Sequence, residues 1–256
     1  MIKRLATALG RRLARYLNQP IRRYQAFAIS DPGSLAEILR PADVLLVDGN
    51  SRVSTAIKYL TQSTWSHVAM YVGDFRKTGL DPVRAPVLIE ADLEQGVIAV
   101  TLDKYERLNT RICRPVGLDK EDCQNVCRYV IERIGHAYDL RNVIDLARYL
   151  LPVPPVPVYW RRRMLALGSG DPTRAICSTL IAEAFQSVRY PILPHIEQRE
   201  LTDAQPGYHL REILHIRHHS LFTPRDFDIS PYFRITKPTL EAGFDYRLLT
   251  WADQLR

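Results

Sequence analysis

A chain of 256 residues with 46% hydrophobic content is long enough to bury a full core, and without an obvious linker it reads as one domain with appendages. Four cysteines, at 113, 123, 127 and 177, do not make the disulfide framework of a small secreted scaffold, which favours a reduced compartment. The formal charge of +7 is concentrated: residues 1–30 hold Lys3, Arg4, Arg11, Arg12, Arg15, Arg22 and Arg23 and no acid, while the other 28 basic residues balance 28 acids.

Within this arm Ile2, Leu5, Leu9, Leu13, Tyr16 and Leu17 recur at three- and four-residue steps, so they share a helical face with arginines around the rest. Two readings stay open. The arm suits an anionic membrane surface, or it packs its apolar stripe on its own domain. Arg11, Arg12 and Arg15 break what a secretory signal would need as an uninterrupted apolar stretch, and no segment approaches a membrane span. A cytoplasmic protein, peripheral at the inner membrane face if the first reading holds, is expected. The body has no basic stripe or nucleic-acid motif, so no nucleic-acid partner is expected.

Along the body, Asp31-Pro32-Gly33-Ser34 reads as a turn and Ala42 to Asp48 as a buried strand ended by Gly49-Asn50. Ser51 to Gln62 reads as a helix capped by Ser51, with Val53, Ile57 and Leu60 inside. Strands follow at about 65–72, 86–91, 96–101 and 110–114, which makes a small, mostly antiparallel sheet. Asp119 to Arg133 is helical by pattern; Gly135-His136-Ala137-Tyr138-Asp139 breaks it before a further helix at about 141–151. Pro152-Val153-Pro154-Pro155-Val156-Pro157 reads as a stiff spacer within a proline-rich insertion near 152–163. The helix of Cys177 follows the breakers Gly168 to Pro172, then come a polar histidine-rich stretch and a late strand from Ser230 to Ile235. The domain division is 1–30 for the arm and 31–256 for the body.

Three residues in this order invite a chemical reading. Cys177 stands on the first turn of its helix, where the helix dipole favours a thiolate. His67 and Glu90 stand on consecutive strands, which can bring base and orienting carboxylate together on one face if the register allows. His67, Ala69 and Tyr71 share a face opposite Val68, Met70 and Val72, so the imidazole has a small neighbour, as an open cleft requires. Each residue alone has an ordinary reading: Cys177 as core filling, His67 as a satisfied strand histidine, Glu90 as an arginine partner. Cys123 and Cys127 have metal-compatible spacing, but nothing nearby completes a tetrahedral set, and both read as half-buried helix residues.

The segments Thr64 to Gly73, Leu88-Ile89-Glu90-Ala91, Gly135 to Asp139 and Ile176-Cys177-Ser178-Thr179-Leu180-Ile181 resemble the circularly permuted branch of the NlpC-type papain-like superfamily, which includes the YiiX-like bacterial proteins and the lecithin:retinol acyltransferase group. The resemblance spans about residues 40–190, and the order histidine, polar residue, cysteine is the order of that branch. It implies an α+β fold with a small antiparallel sheet packed against a cysteine-bearing helix. It also implies Cys177 as nucleophile, His67 as base and Glu90 as the third residue, with Asp92 in reserve. Tyr138 and Asp139 match a family pair read here as local packing.

The function expected is therefore a cysteine hydrolase that opens an amide or ester through a thioester, amidase- or peptidase-like, on a small-molecule, peptide or lipid substrate. A lipid acyltransferase or deacylase at a membrane face ranks second. A non-catalytic membrane-binding module with a vestigial cleft ranks third. The reaction needs no metal and no organic cofactor.

Overall fold

A computed structural model describes residues 16, 18–20, 24–26, 32–73, 87–92, 94–136, 176–200, 210–215, 217–241, 243, 245 and 247. The helix read at 141–151, the proline-rich insertion, Tyr138 and Asp139, the breakers before Cys177 and most of the basic arm lie outside the described residues.

In chain order the elements are α1 (Pro32–Ile38), β1 (Val44–Asp48), α2 (Arg52–Thr61), β2 (His67–Gly73), β3 (Val87–Asp92), β4 (Gly96–Thr101), a 3-10 turn η1 (Leu102–Tyr105), β5 (Asn109–Pro115), α3 (Lys120–Ile131) and α4 (Ile176–Ser187). Then come β6 (His195–Glu200), β7 (Leu210–His215), η2 (His219–Leu221), α5 (Pro224–Asp228), β8 (Phe233–Thr236) and α6 (Pro238–Glu241). Six strands form one antiparallel sheet in the order β4-β3-β2-β1-β5-β8, and β6 and β7 pair separately. The fold is α+β.

Alternation decides what each strand gives to each face. Val44, Leu46, Val68, Met70, Ile89 and Cys113 face a core shared with Val126 and Val130 of α3 and with Cys177, Leu180, Ile181 and Phe185 of α4. Leu45, Val47, Ala69, Leu88 and Ile112 face the other way, against Leu35 of α1, Leu39, and Leu102 and Tyr105 of η1. Both sides are covered, which explains the near-continuous apolar runs. Phe185 anchors the first core, meeting Phe233 edge-on at 5.2 Å between ring centroids.

Local chemistry sets the helix ends. The Ser51 hydroxyl accepts from the Ser54 amide at 3.2 Å to start α2, and α2 ends on Gln62 in the left-handed region, φ 50°. The Asp119 carboxylate accepts from the Asp122 amide at 2.8 Å to start α3. Three sequence expectations need correction. The predicted turn at Asp31 to Ser34 is the beginning of α1, because Pro is tolerated at a helix start and Leu35 gains burial under the sheet. The late strand starts at Phe233 rather than Ser230, whose hydroxyl is held by the Ile192 carbonyl. The polar stretch after α4 is the β6–β7 hairpin.

Antiparallel pairing brings the end of β1, the start of β2, the end of β3 and the starts of β4 and β5 to one end of the sheet. Part of the basic arm crosses this end. Asn18 donates to Glu94 at 3.1 Å, Pro20 bridges Ser51, and the Tyr24 hydroxyl accepts from the Asn109 amide at 3.0 Å. Arg52 donates to the Tyr16 hydroxyl at 2.5 Å, with its guanidinium 4.3 Å from the Tyr16 ring centroid.

One buried ion pair ties β1 to β5. Arg114 donates to both oxygens of Asp43, at 2.9 and 2.7 Å, and to the Ile38 carbonyl at 2.6 Å; the Arg40 amide also donates to Asp43. Burial pushes the Asp43 carboxyl above its usual range, against the pull of the Arg114 bonds. Arg114→Leu would leave a fully buried carboxylate unpaired, so urea unfolding should show a loss of about 3–5 kcal/mol. A change under 1 kcal/mol would mean that the pair does not tie the strands.

Candidate active site

Glu90 is the most enclosed charged group at the His67 end of the sheet. It lies on β3 directly opposite Ala69 of β2, and only 1% of the residue is exposed. Ala69 leaves room beside it, so the carboxylate reaches diagonally to the His67 imidazole: Nε2 to Oε2 is 2.7 Å. The sequence left the shared face of His67 and Glu90 to the register, and the pairing of Ala69 with Glu90 supplies it.

Two further donors complete the carboxylate's surroundings. Lys104 Nζ donates to Oε1, and the Tyr105 hydroxyl donates to Oε2, the same oxygen that His67 meets. Both come from η1, which packs under the face that carries Glu90. Neither was singled out in the sequence, where the stretch from Leu102 to Asn109 reads only as a connection. Asp92, the reserve candidate, is turned elsewhere: its Oδ1 accepts from the Glu94 and Gln95 amides at 2.8 and 3.0 Å and shapes the β3–β4 turn.

Cys177 is the second residue of α4, on the helix that covers the opposite face, and it meets His67 where β2 begins. The thiol lies close enough to the imidazole to raise its pKa. With Nε2 taken up by Glu90, Nδ1 is the nitrogen left for sulfur. The helix start is fixed next door, where buried Ser178 donates to the Phe222 carbonyl at 2.6 Å. The start of β2 is fixed as well: the Gly49 amide donates to the Ser66 hydroxyl at 2.9 Å. A Cβ at Gly49 would lie 2.3 Å from Ser54 Oγ and 2.9 Å from Ser66 Oγ, so only glycine permits this approach.

The electrostatics follow from the contacts. Burial pulls the His67 imidazolium down, but the Glu90 charge, the hydrogen bond and charge of Cys177 and the hydrogen bond to Glu90 outweigh it, raising the group from 6.5 to about 10. Burial pushes Glu90 up, but the charge and hydrogen bond of His67 and then those of Lys104 outweigh it, lowering the carboxyl from 4.5 to about 2. Burial first, then the charge and bond of Glu90, keep Tyr105 a neutral donor well above its ordinary value. The other cysteines differ in kind. Burial raises Cys113. Cys123, whose thiol donates to the Pro41 carbonyl at 3.4 Å, is lowered to about 7 by its interaction with Cys127, which is itself raised by Cys123 and by burial. An open groove of about 490 Å³ runs along β4 beside the site, lined by Val97, Ala99, Ile134 and Lys104 among others.

An antiparallel sheet carrying histidine and carboxylate, followed in the chain by a cysteine-bearing helix, defines the α+β permuted papain-like class. Residues 39–149 match the family described as permuted papain-like amidase enzymes, YaeF/YiiX, C92 family, so this span, with His67 and Glu90, is YiiX-like and of the cysteine-hydrolase class. Cys177 lies beyond the matched span. Among solved structures, the metalloprotein YiiX from Escherichia coli O157:H7 is 14% identical, over 77% of this chain and 96% of that one, with a TM-score of 0.45. No curated protein matches the chain. Among the described residues no three His, Cys, Asp or Glu side chains gather to hold a metal ion, and no helix is long and apolar enough to cross a membrane.

The pair has a pH signature in stability. Glu90 is held below its unfolded value, so its contribution is complete above about pH 4.5 and lost as pH falls toward about 2. His67 is held above its unfolded value, so its contribution is complete below about pH 6.5 and lost as pH rises toward about 10. The gap in melting temperature between wild type and Glu90→Gln should therefore be widest between those inner limits and close on both sides. A gap independent of pH would contradict the ion pair.

Proposed function

We propose that the protein hydrolyses an amide bond with Cys177 as nucleophile, His67 as base and Glu90 as the group that orients the imidazole. The observation that carries this reading is the position of His67, hydrogen-bonded to the Glu90 carboxylate and set close enough to the Cys177 thiol to feel it electrostatically. In the resting ion pair the imidazole already holds the sulfur's proton; the thiolate attacks the carbonyl carbon, and the tetrahedral oxyanion takes a hydrogen bond from the Cys177 backbone N–H near the start of α4. As the C–N bond breaks, the imidazolium protonates the leaving amine. Water, activated by the same imidazole, then attacks the thioester, and the acid leaves with the thiol restored.

The amide is ranked first because the family matched over residues 39–149 is one of amidases. An ester substrate, transfer of the acyl group to an acceptor, and action at a membrane face are outcomes of the test. So is a module that binds without turnover. The described part of the arm favours packing on the body through Tyr16, Asn18, Pro20 and Tyr24 over a role confined to lipid.

Intact-mass analysis after exposing wild type and Cys177→Ala to peptidoglycan fragments and to phospholipids tests the reading. Wild type alone should gain an acyl mass, localised to Cys177, and the mass identifies the group. His67→Ala should slow adduct formation by about two to four orders of magnitude, and Glu90→Gln by less. An equal adduct on Cys177→Ala, or turnover untouched by His67→Ala, would refute the assignment. Binding without any adduct would point to the non-catalytic module.

A further inference from the structure

Lys104 is the unassigned charge at the site. Its ammonium meets Glu90 Oε1, the oxygen that His67 does not use, while the side chain is 41% exposed along the groove beside β4. The geometry points to Lys104 as a positioning residue that acts through Glu90. It fixes the carboxylate's rotation so that Oε2 faces His67, and it balances the charge that the site carries when Cys177 is ionised. This rests on the proposed roles of Cys177 and His67.

The argument is one of charge and of geometry. A reactive thiol–imidazole pair places a thiolate and an imidazolium side by side, and Glu90 adds a second negative charge in a buried setting. Without Lys104 the cluster is net negative, which opposes the loss of the thiol proton. With Lys104 the four signs alternate from sulfur to ammonium and sum to zero, so the ion pair carries no net buried charge. Tyr105 cannot substitute, because it donates to Oε2 and stays neutral. It competes with His67 for one oxygen; Lys104 occupies the other, and the two together leave the carboxylate one orientation. Glu90 of β3 and Cys177 of α4 act on the imidazole directly and the Tyr105 ring lies 6.5 Å from it, while Lys104 acts on Glu90; Asp92 is engaged by turn amides, and its charge reaches Tyr105. Removing one positive charge from this set raises the pH at which each proton leaves.

The test is the rate of Cys177 alkylation by iodoacetamide against pH, read by peptide mapping so that Cys177 is followed apart from the other three cysteines. In wild type the rate should rise in two steps, the first as the ion pair forms and the second as the imidazolium loses its proton. In Lys104→Met both steps should move to higher pH by about half to one unit, with a fall of about three- to tenfold in rate below the first step. Lys104→Arg, which keeps the charge, should return both steps toward wild type. A purely structural role would instead lower the rate at every pH and leave the steps in place.

The outcomes separate the two claims. A single step in wild type, as for an isolated thiol, overturns the proposed Cys177–His67 pairing. Two steps in wild type that Lys104→Met leaves unmoved overturn the role of Lys104 alone. If Lys104→Arg shifts the steps as far as Lys104→Met does, charge balance is overturned. Melting curves accompany each variant, and if Lys104→Met does not fold, Lys104→Gln carries the same comparison.

Discussion

A carboxylate with almost no contact with water, ringed by an imidazole, an ammonium and a phenol, is the interaction on which the rest of the site depends. Burial alone would protonate Glu90. Three donors on its two oxygens reverse that outcome, and the retained charge in turn holds the imidazolium of His67. The three donors rest on two structural commitments. His67 needs the β2–β3 register, while Lys104 and Tyr105 need η1 to pack under the sheet.

The fold reads as a means of satisfying those commitments. Small Ala69 opposite Glu90 gives the carboxylate its diagonal path. Ser66, held by the Gly49 amide, fixes where β2 begins, and Ser178, held by the Phe222 carbonyl, fixes where α4 begins. Histidine and cysteine therefore meet at a junction whose two sides are each pinned one residue away. The bidentate Asp43–Arg114 pair lies toward the far end of β1 and keeps the central strands in register without taking part in the chemistry. The crossing segment of the arm adds contacts at the near end, between the β3–β4 turn and the start of β5.

Much of this was legible in the sequence. Apolar runs bounded by turn residues located the strands, and parity put His67 beside Ala69 on one face of β2, while the shared face with Glu90 waited on the register. Ser51 announced a helix start through its own side chain, while the cap at Asp119 shows only in the structure. What stayed hidden was nonlocal or contrary to local preference. Lys104 and Tyr105 are ordinary connection residues until η1 packs beneath β3. Pro32 and Gly33 signal a turn, yet burial of Leu35 outweighs the signal and a helix forms. The strands β6 and β7 are polar and lack a clear alternation, so their pairing left no periodic trace. Cys123 and Cys127 read as plain helix residues, and the bond from the Cys123 thiol to the Pro41 carbonyl appears only in three dimensions.

The most direct test of the account is the protonation state of one ring. Nitrogen-15 NMR of histidine-labelled protein at pH 7 should show His67 doubly protonated in wild type, with titration displaced well above the ordinary imidazole range. In Glu90→Gln the same ring should titrate closer to its ordinary value. A neutral His67 at pH 7 in wild type, titrating near 6.5 and indifferent to Glu90→Gln, would contradict the claim that the buried carboxylate sets the state of the site.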